Sequence, residues 1–254
     1  MNQIFAVPHD IILQSLIYLY SVLFENFGLA IIALTVLIRA LLLPFTLPAS
    51  KTQKKMMDLK PRLDELKATH GKDKKKLSEE QLKLYQEHGI NPLGGCLPQI
   101  VQIILLIILY NVFISFLSPG EGVKTPSING NPVNTAFLWW DLAKKDPFYA
   151  LPLIAGLSQF IMSKMIIPTK KLSIKKNDSK DEKKEKEDFS EVMQEVQGQM
   201  VYMMPVMTVF FSINFPSGLS LYWIVGNICS IIQQYFISGW GGLSELAFWN
   251  KKKQ

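Results

Sequence analysis

The sequence predicts an all-α integral membrane protein: five transmembrane helices around a hydrophilic groove, with a cytoplasmic helical hairpin and an N-terminal interfacial helix. Three observations lead there. The 254-residue chain holds five long apolar stretches, at about 28–48, 96–117, 147–167, 199–215 and 218–237. A hydrocarbon core about 30 Å thick needs helices of about 17–25 residues, close to these lengths. Lys and Arg alternate sharply between the connecting segments, and one cation, Arg39, lies inside the first apolar stretch.

Residues 1–27 form an extracytoplasmic N-terminus. Within it the apolar run from Ile11 to Phe24 follows Pro8 and is about 14 residues long, too short to span and suited to an interfacial helix. No Lys or Arg precedes Arg39, so the charged n-region of a signal peptide is not expected. The first span covers 28–50. At about 1.5 Å per residue, Arg39 lies roughly 15 Å from either end of it, too far for its head group to snorkel fully out. Arginine at the centre of a span costs about 2.5–3.5 kcal/mol, so it faces a protein interior or a wet cavity. No other predicted span carries an acid to pair with it. Something hydrated must reach it.

Residues 51–91 are expected to form the cytoplasmic hairpin. Met56, Leu59, Leu63 and Leu66 share one helical face. Gly71 breaks the pattern, Ser78-Glu79-Glu80-Gln81 is a capping box that restarts a helix, and Leu77 and Leu84 supply the facing stripe. Gly89 ends the second arm before Asn91-Pro92. The second span (92–117), an extracytoplasmic loop (118–146) and the third span (147–168) follow. A charged cytoplasmic loop (169–198), whose core from Lys175 to Asp188 has no apolar side chain to bury, should be flexible or only partly helical. The fourth span (199–215), the fifth (216–238) and a cytoplasmic tail (239–254) complete the chain.

Orientation follows from charge. Lys and Arg number eleven in residues 49–92, three in 118–146 and eight in 168–198, with Lys251, Lys252 and Lys253 in the tail. The positive-inside rule then places the N-terminus outside and the C-terminus in the cytoplasm. The net charge of +6 largely reflects this topology, and the basic loops also carry many acids, so nucleic-acid binding is a poor inference.

Inside the spans, polar residues fall in stripes. Thr35, Arg39 and Thr46 lie close to one face of the first; Gln99 and Gln102 are one turn apart on the second, as are Gln159 and Ser163 on the third. Asn227, Ser230 and Gln234 form another stripe on the fifth. A single glutamine most simply joins neighbouring helices by a hydrogen bond. Arg39 demands more: water, a lipid phosphate or a transient acidic partner. Arg39, Thr35, Gln99, Gln102, Gln159 and Gln234 are therefore the candidate groove residues. The fourth span is rich in adaptable side chains, Met200, Met203, Met204 and Met207, followed by Phe210, Phe211 and Phe215.

No enzymatic chemistry is expected. The three histidines lie outside the predicted spans, and no phosphate-binding glycine loop occurs. The two cysteines, Cys96 and Cys229, fall within spans, giving neither a disulfide framework, nor a lipoprotein anchor, nor a metal site. No cofactor is implied.

Three motifs carry a family resemblance. The first is Leu34-Thr35-Val36-Leu37-Ile38-Arg39, running on to Pro44-Phe45-Thr46. The second is Asn91-Pro92-Leu93-Gly94-Gly95-Cys96-Leu97-Pro98, with Gln102 and Leu109-Tyr110. The third is Tyr202-Met203-Met204-Pro205, continuing through Phe215-Pro216-Ser217-Gly218-Leu219, Leu221-Tyr222-Trp223 and Asn227 to Gln233-Gln234. In order and spacing the chain resembles the YidC family of membrane-protein insertases over about residues 10–240, in the short form without the large extracytoplasmic domain of Gram-negative members. The lipoprotein signal of many Gram-positive members is missing, and the brief tail argues against strong ribosome docking through it.

The resemblance implies a groove open to the cytoplasm and the bilayer but closed outside, which would hold water around Arg39. A substrate's polar or acidic tail would enter it while its apolar helix leaves along a hydrophobic slide. Carried over by residue, Phe211, Tyr222 and Trp223 are the slide contacts. Transfer of an apolar segment into lipid, not nucleotide hydrolysis, would drive the process. The implied partners are nascent membrane proteins and the lipid bilayer, with the Sec translocon and the ribosome as further candidates, and the implied oligomeric state is a monomer. The competing functions are a small-anion transporter or channel binding at Arg39, which usually shows an internal repeat not seen here, and a scaffold whose basic hairpin holds partners or anionic lipid.

Overall fold

The computed structural model describes residues 3–70, 73–90, 97–117, 127–128, 131–166 and 189–245. It is overwhelmingly helical: α1 (Gln3–Val22), α2 (Phe27–His70), α3 (Lys74–Glu87), α4 (Leu97–Leu117), α5 (Ala150–Ile166), α6 (Phe189–Asn214) and α7 (Ser217–Ser238), then a 3₁₀ turn, Gly241–Glu245. The fold is that of an all-α membrane protein. Among the described residues α2 is long and apolar enough to cross a bilayer, and 100–114, 150–166 and 201–214 are shorter apolar helical stretches.

Four expectations change. The interfacial helix does not wait for Pro8 but starts at Gln3 and includes it. The first predicted span and the first hairpin arm are one 44-residue helix that runs through Pro44, Pro48 and Pro61. Each proline removes one backbone donor and leaves the carbonyl four residues earlier without its usual helical partner, yet the helix continues through all three. Helix α6 begins at Phe189, inside the segment expected to be a charged loop. The loop after α4 carries two short antiparallel ribbons, β1 (Ser127–Ile128) with β2 (Asn131–Pro132) and β3 (Ala136–Phe137) with β4 (Trp140–Asp141). The charged core 175–188, the glycine at 71 and the 91–96 half of the second motif lie outside the described residues.

The hairpin is built by local chemistry. The Asp73 side chain accepts the Lys76 amide at 3.1 Å and starts α3 ahead of Ser78, so the proposed capping box sits inside the helix. This earlier start puts Leu77, Gln81 and Tyr85 at i, i+4 and i+8, all buried on one face. The arm ends in a Schellman turn: Gly89 has φ +60°, its amide reaches the Gln86 carbonyl at 3.0 Å, and Ile90 reaches back to Tyr85 at 2.8 Å. Ile90 and Tyr85 then pack with Leu59 and Leu63 into a small core separate from the main one.

The main core joins α1, α2, α4, α5 and α7 through side chains such as Leu16, Phe27, Val112, Ala155 and Leu219. Close approaches depend on missing Cβ atoms. An added Cβ at Gly28 would strike the Phe137 ring, one at Gly218 the Phe113 ring, and one at Gly156 the Val209 side chain. Backbone bonds close the end where α2, α5 and α7 begin. Ser217 N donates to Lys144 O at 2.8 Å and Gly218 N to Leu142 O at 3.0 Å, so the β3–β4 loop is fastened over the start of α7.

In that loop Asp141 accepts from Thr135 Oγ1 at 2.7 Å and Ala143 N at 3.1 Å, and pairs with Lys144 at 2.9 Å. Partial burial pushes its carboxyl up, but the Thr135, Lys144 and Ala143 hydrogen bonds outweigh that and hold it below the usual aspartate value.

Candidate functional site

Arg39 is half-buried where α2 faces α4 and α7. Its Nη1 donates to Ser230 Oγ at 3.0 Å and its Nη2 to Gln102 Oε1 at 2.7 Å. Gln102 in turn donates through Nε2 to the Tyr222 hydroxyl at 3.3 Å. Gly226 makes room for the guanidinium: a Cβ there would lie 2.8 Å from Nη2. The Nε–H is buried with no hydrogen-bond partner. Among the described residues every protein partner of this cation is neutral, and no acid forms an ion pair with it.

The polar seam continues along the α2–α7 contact toward the hairpin. Thr46 Oγ1 donates to Gln233 Oε1 at 3.3 Å, Gln233 Nε2 to Ser50 Oγ at 3.2 Å, and Lys54 Nζ to the Ile237 carbonyl at 2.9 Å near the end of α7. On α7 these are positions 226, 230, 233 and 237, a single helical stripe; on α2 they are 39, 46, 50 and 54, the matching one.

The predicted residues divide. Arg39 and Gln102 meet directly, and Tyr222 joins them through Gln102. Thr35 is buried and returns its hydroxyl to Ile31 O in its own helix at 2.6 Å. Gln234 is buried one position off the seam and bonds Ser238 Oγ at 2.8 Å. Gln159 is half-buried on α5, beside Ser158, whose hydroxyl accepts from Asn227 at 3.0 Å. The backbone of Gln99 lies in α4 and its side chain is outside the described residues. Of the slide candidates, Phe211 is exposed and stacks on Phe215, whereas Tyr222 and Trp223 are buried.

Sequence reasoning missed Gly226, Ser230 and Gln233 as site residues, although their spacing against Arg39 and Thr46 was available. It also missed a second cation. Lys164 on α5 is buried, with Nζ 3.1 Å from the Tyr202 hydroxyl and over the rings of Tyr202 and Phe160, 4.9 and 5.6 Å from their centroids.

Chemically the seam offers a half-buried arginine whose guanidinium is held among neutral amides and hydroxyls. It can receive a carboxylate or a hydrated polar chain. Among the described residues no group of His, Cys, Asp and Glu side chains could hold a metal ion.

Residues 18–241 match the family model described as 60Kd inner membrane protein. The chain is 35% identical over 212 residues to a Fusobacterium nucleatum protein named membrane protein insertase YidC, covering 84% of this chain and 86% of the relative. It is 36% identical over 220 residues to the Bacillus subtilis membrane protein insertase MisCA, covering 85% and 71%. A Magnetococcus marinus YidC is 39% identical over 215 residues, covering 84% of this chain but 32% of that longer protein. The family match takes in both cations and nearly the whole helical bundle, and on that ground the chain belongs to the YidC family of 60Kd inner membrane proteins.

Proposed function

We propose that this protein is a membrane-protein insertase that moves hydrophobic segments and short polar tails of newly made proteins from the cytoplasm into the bilayer, without nucleotide hydrolysis. The observation that carries the proposal is the state of Arg39: a half-buried residue whose guanidinium is held by Ser230 and Gln102, with no acidic partner among the described residues. Its relatives are named for insertion.

In this mechanism five spans run from an outer N-terminus to a cytoplasmic C-terminus, around a groove whose wall is the Arg39 seam. Water in the groove solvates the arriving tail and lowers the barrier to carrying polar groups through hydrocarbon. An acidic tail exchanges some of its water for the guanidinium, a charge-assisted bond that must be weak enough to release. The apolar segment meanwhile leaves along exposed side chains of α6, among them Met203, Val206, Met207, Phe210 and Phe211. Tyr222 and Trp223 are covered in the closed bundle, so they meet substrate only when α4 and α7 part. The hairpin receives substrate or partners, with the Sec translocon and the ribosome as candidates.

The test is reconstitution. Vesicles containing only this protein should protect the acidic tail of a single-span substrate from external protease, and empty vesicles should not. Equal protection in both would overturn the proposal, and Arg39-dependent anion flux without protection would favour a transporter.

A further inference from the structure

The end of the bundle where α2, α5 and α7 begin carries a set of large apolar side chains that the insertion mechanism does not use. Phe24 is 90% exposed, Trp139 71% and Phe148 73%, with Leu138 and Tyr149 also exposed. They come from three separate segments: the α1–α2 turn, the tip of the β3–β4 ribbon, and the approach to α5.

All three segments adopt costly backbone. Phe24, Glu25, Leu138 and Tyr149 have φ of 56°, 53°, 55° and 56°, where non-glycine residues are uncommon. Such conformations persist only where the surroundings over-determine them. Here the surroundings do. Asn134 N donates to the Tyr20 hydroxyl at 2.8 Å, Leu142 N to Thr135 O at 2.9 Å, and the Phe137 ring rests on Gly28. Asp146 receives the amides of Phe148 at 3.0 Å and Leu151 at 2.7 Å, which fixes the turn into α5.

The ribbon tip is the sharpest case. A two-residue hairpin turn favours Gly, Asn or Asp, which are polar or lack a Cβ. This one uses Leu138-Trp139, so it accepts both strain and apolar exposure. The inner face of the same loop is properly buried, with Val133, Trp140 and Leu142 in the core. Water would favour the opposite arrangement at the tip. A bilayer interface would not, because Trp and Tyr concentrate at the headgroup level and Phe and Leu gain by entering the acyl region.

We infer that Phe24, Leu138, Trp139, Phe148 and Tyr149 form a lipid-interface anchor, seated in the headgroup–acyl boundary of the leaflet opposite the α2–α3 hairpin. Lys144, with its side chain 78% exposed, marks the watery rim of the same loop. The anchor fixes the height of the bundle in the membrane and hence the depth of Arg39. This inference requires that the chain cross a bilayer and is independent of insertion.

Fluorine NMR of the full chain in phosphatidylcholine nanodiscs tests it with native side-chain shapes. All five tryptophans take fluorotryptophan, and Trp139→Phe assigns the Trp139 signal by its disappearance. A nitroxide-labelled lipid should broaden that signal several-fold more than a water-soluble gadolinium chelate does. Stronger broadening by the chelate would place the tip in water and overturn the inference. Protection from both agents would mean a protein surface covers it, which also overturns it.

Discussion

Two cations sit among the apolar helices of this protein, and they are treated in opposite ways. Arg39 is half-exposed between α2, α4 and α7, held by a serine and a glutamine, with its Nε–H unpartnered. Lys164 is closed off on the α5–α6 side, with one tyrosine hydroxyl and two aromatic faces around it. Neither has an acid among the described residues. A buried charge enclosed by fixed partners holds helices together; a half-buried one without an acidic partner is, on the proposed function, the one that a substrate tail meets.

The largest expected break in this contrast is Arg39→Ala. Hydrogen bonds to charged groups contribute about 1.5–3 kcal/mol, so insertion of acidic-tailed substrates should slow by about tenfold or more, read as protease protection against time. Arg39→Lys should fall between, since the charge remains but the planar fork that spans Ser230 and Gln102 is lost. Gly226→Ala comes next. The new Cβ lies 2.8 Å from Nη2, so the guanidinium must shift. Insertion should drop several-fold and a smaller substrate dependence on tail acidity should appear, with little net change in thermal or denaturant unfolding, because the shifted group ends a flexible side chain and Ala is favoured over Gly by about 1 kcal/mol inside a helix.

Lys164→Met sharpens the other half of the comparison. It removes the cation but keeps an unbranched chain, and the exposed Tyr202 can turn its hydroxyl to water. The cation–π and hydrogen-bond losses should lower stability by about 1–2 kcal/mol. Insertion by the folded fraction should stay within about twofold, because this charge is not presented to substrate. The smallest effect belongs to Asp141, away from both cations. Its carboxyl is held below the usual value, so its stabilising contribution is present above the unfolded aspartate pKa and is lost as pH falls through the lower folded one. Disorder of the β3–β4 loop should thus appear only in acid, and Asp141→Asn should flatten that pH dependence in the Trp139 and Trp140 spectra.

Much of the helical bundle is legible because long apolar stretches without breakers read as helices. Arg39 was legible for the same reason, as an isolated conflict between residue and environment. Pairing was harder. The polar stripe points to Gln234, whereas Gln233 is the seam residue, because one position turns a side chain by about 100° and only the partner helix decides which face counts. Ser230 stands in a polar stripe but gives no sign of its partner until Arg39 is seen against it, and Gly226 announces no chemistry of its own. Lys164 lay near the end of a predicted span, where a lysine ordinarily snorkels, and only tertiary packing shows it enclosed. The unbroken α2 is hidden in the sequence because three prolines argue for breaks, whereas the helix runs on through all of them. Asp73 beat Ser78 as the cap of α3 because starting there puts Leu77 on the buried stripe.

The most direct test of the contrast compares Arg39→Ala and Lys164→Met in the same vesicles, with folded protein matched by ligand-free thermal unfolding and an acidic-tailed single-span substrate. The prediction is that Lys164→Met protects the tail at nearly the wild-type rate while Arg39→Ala does not. Equal rates for the two variants, or a greater loss in Lys164→Met, would contradict it.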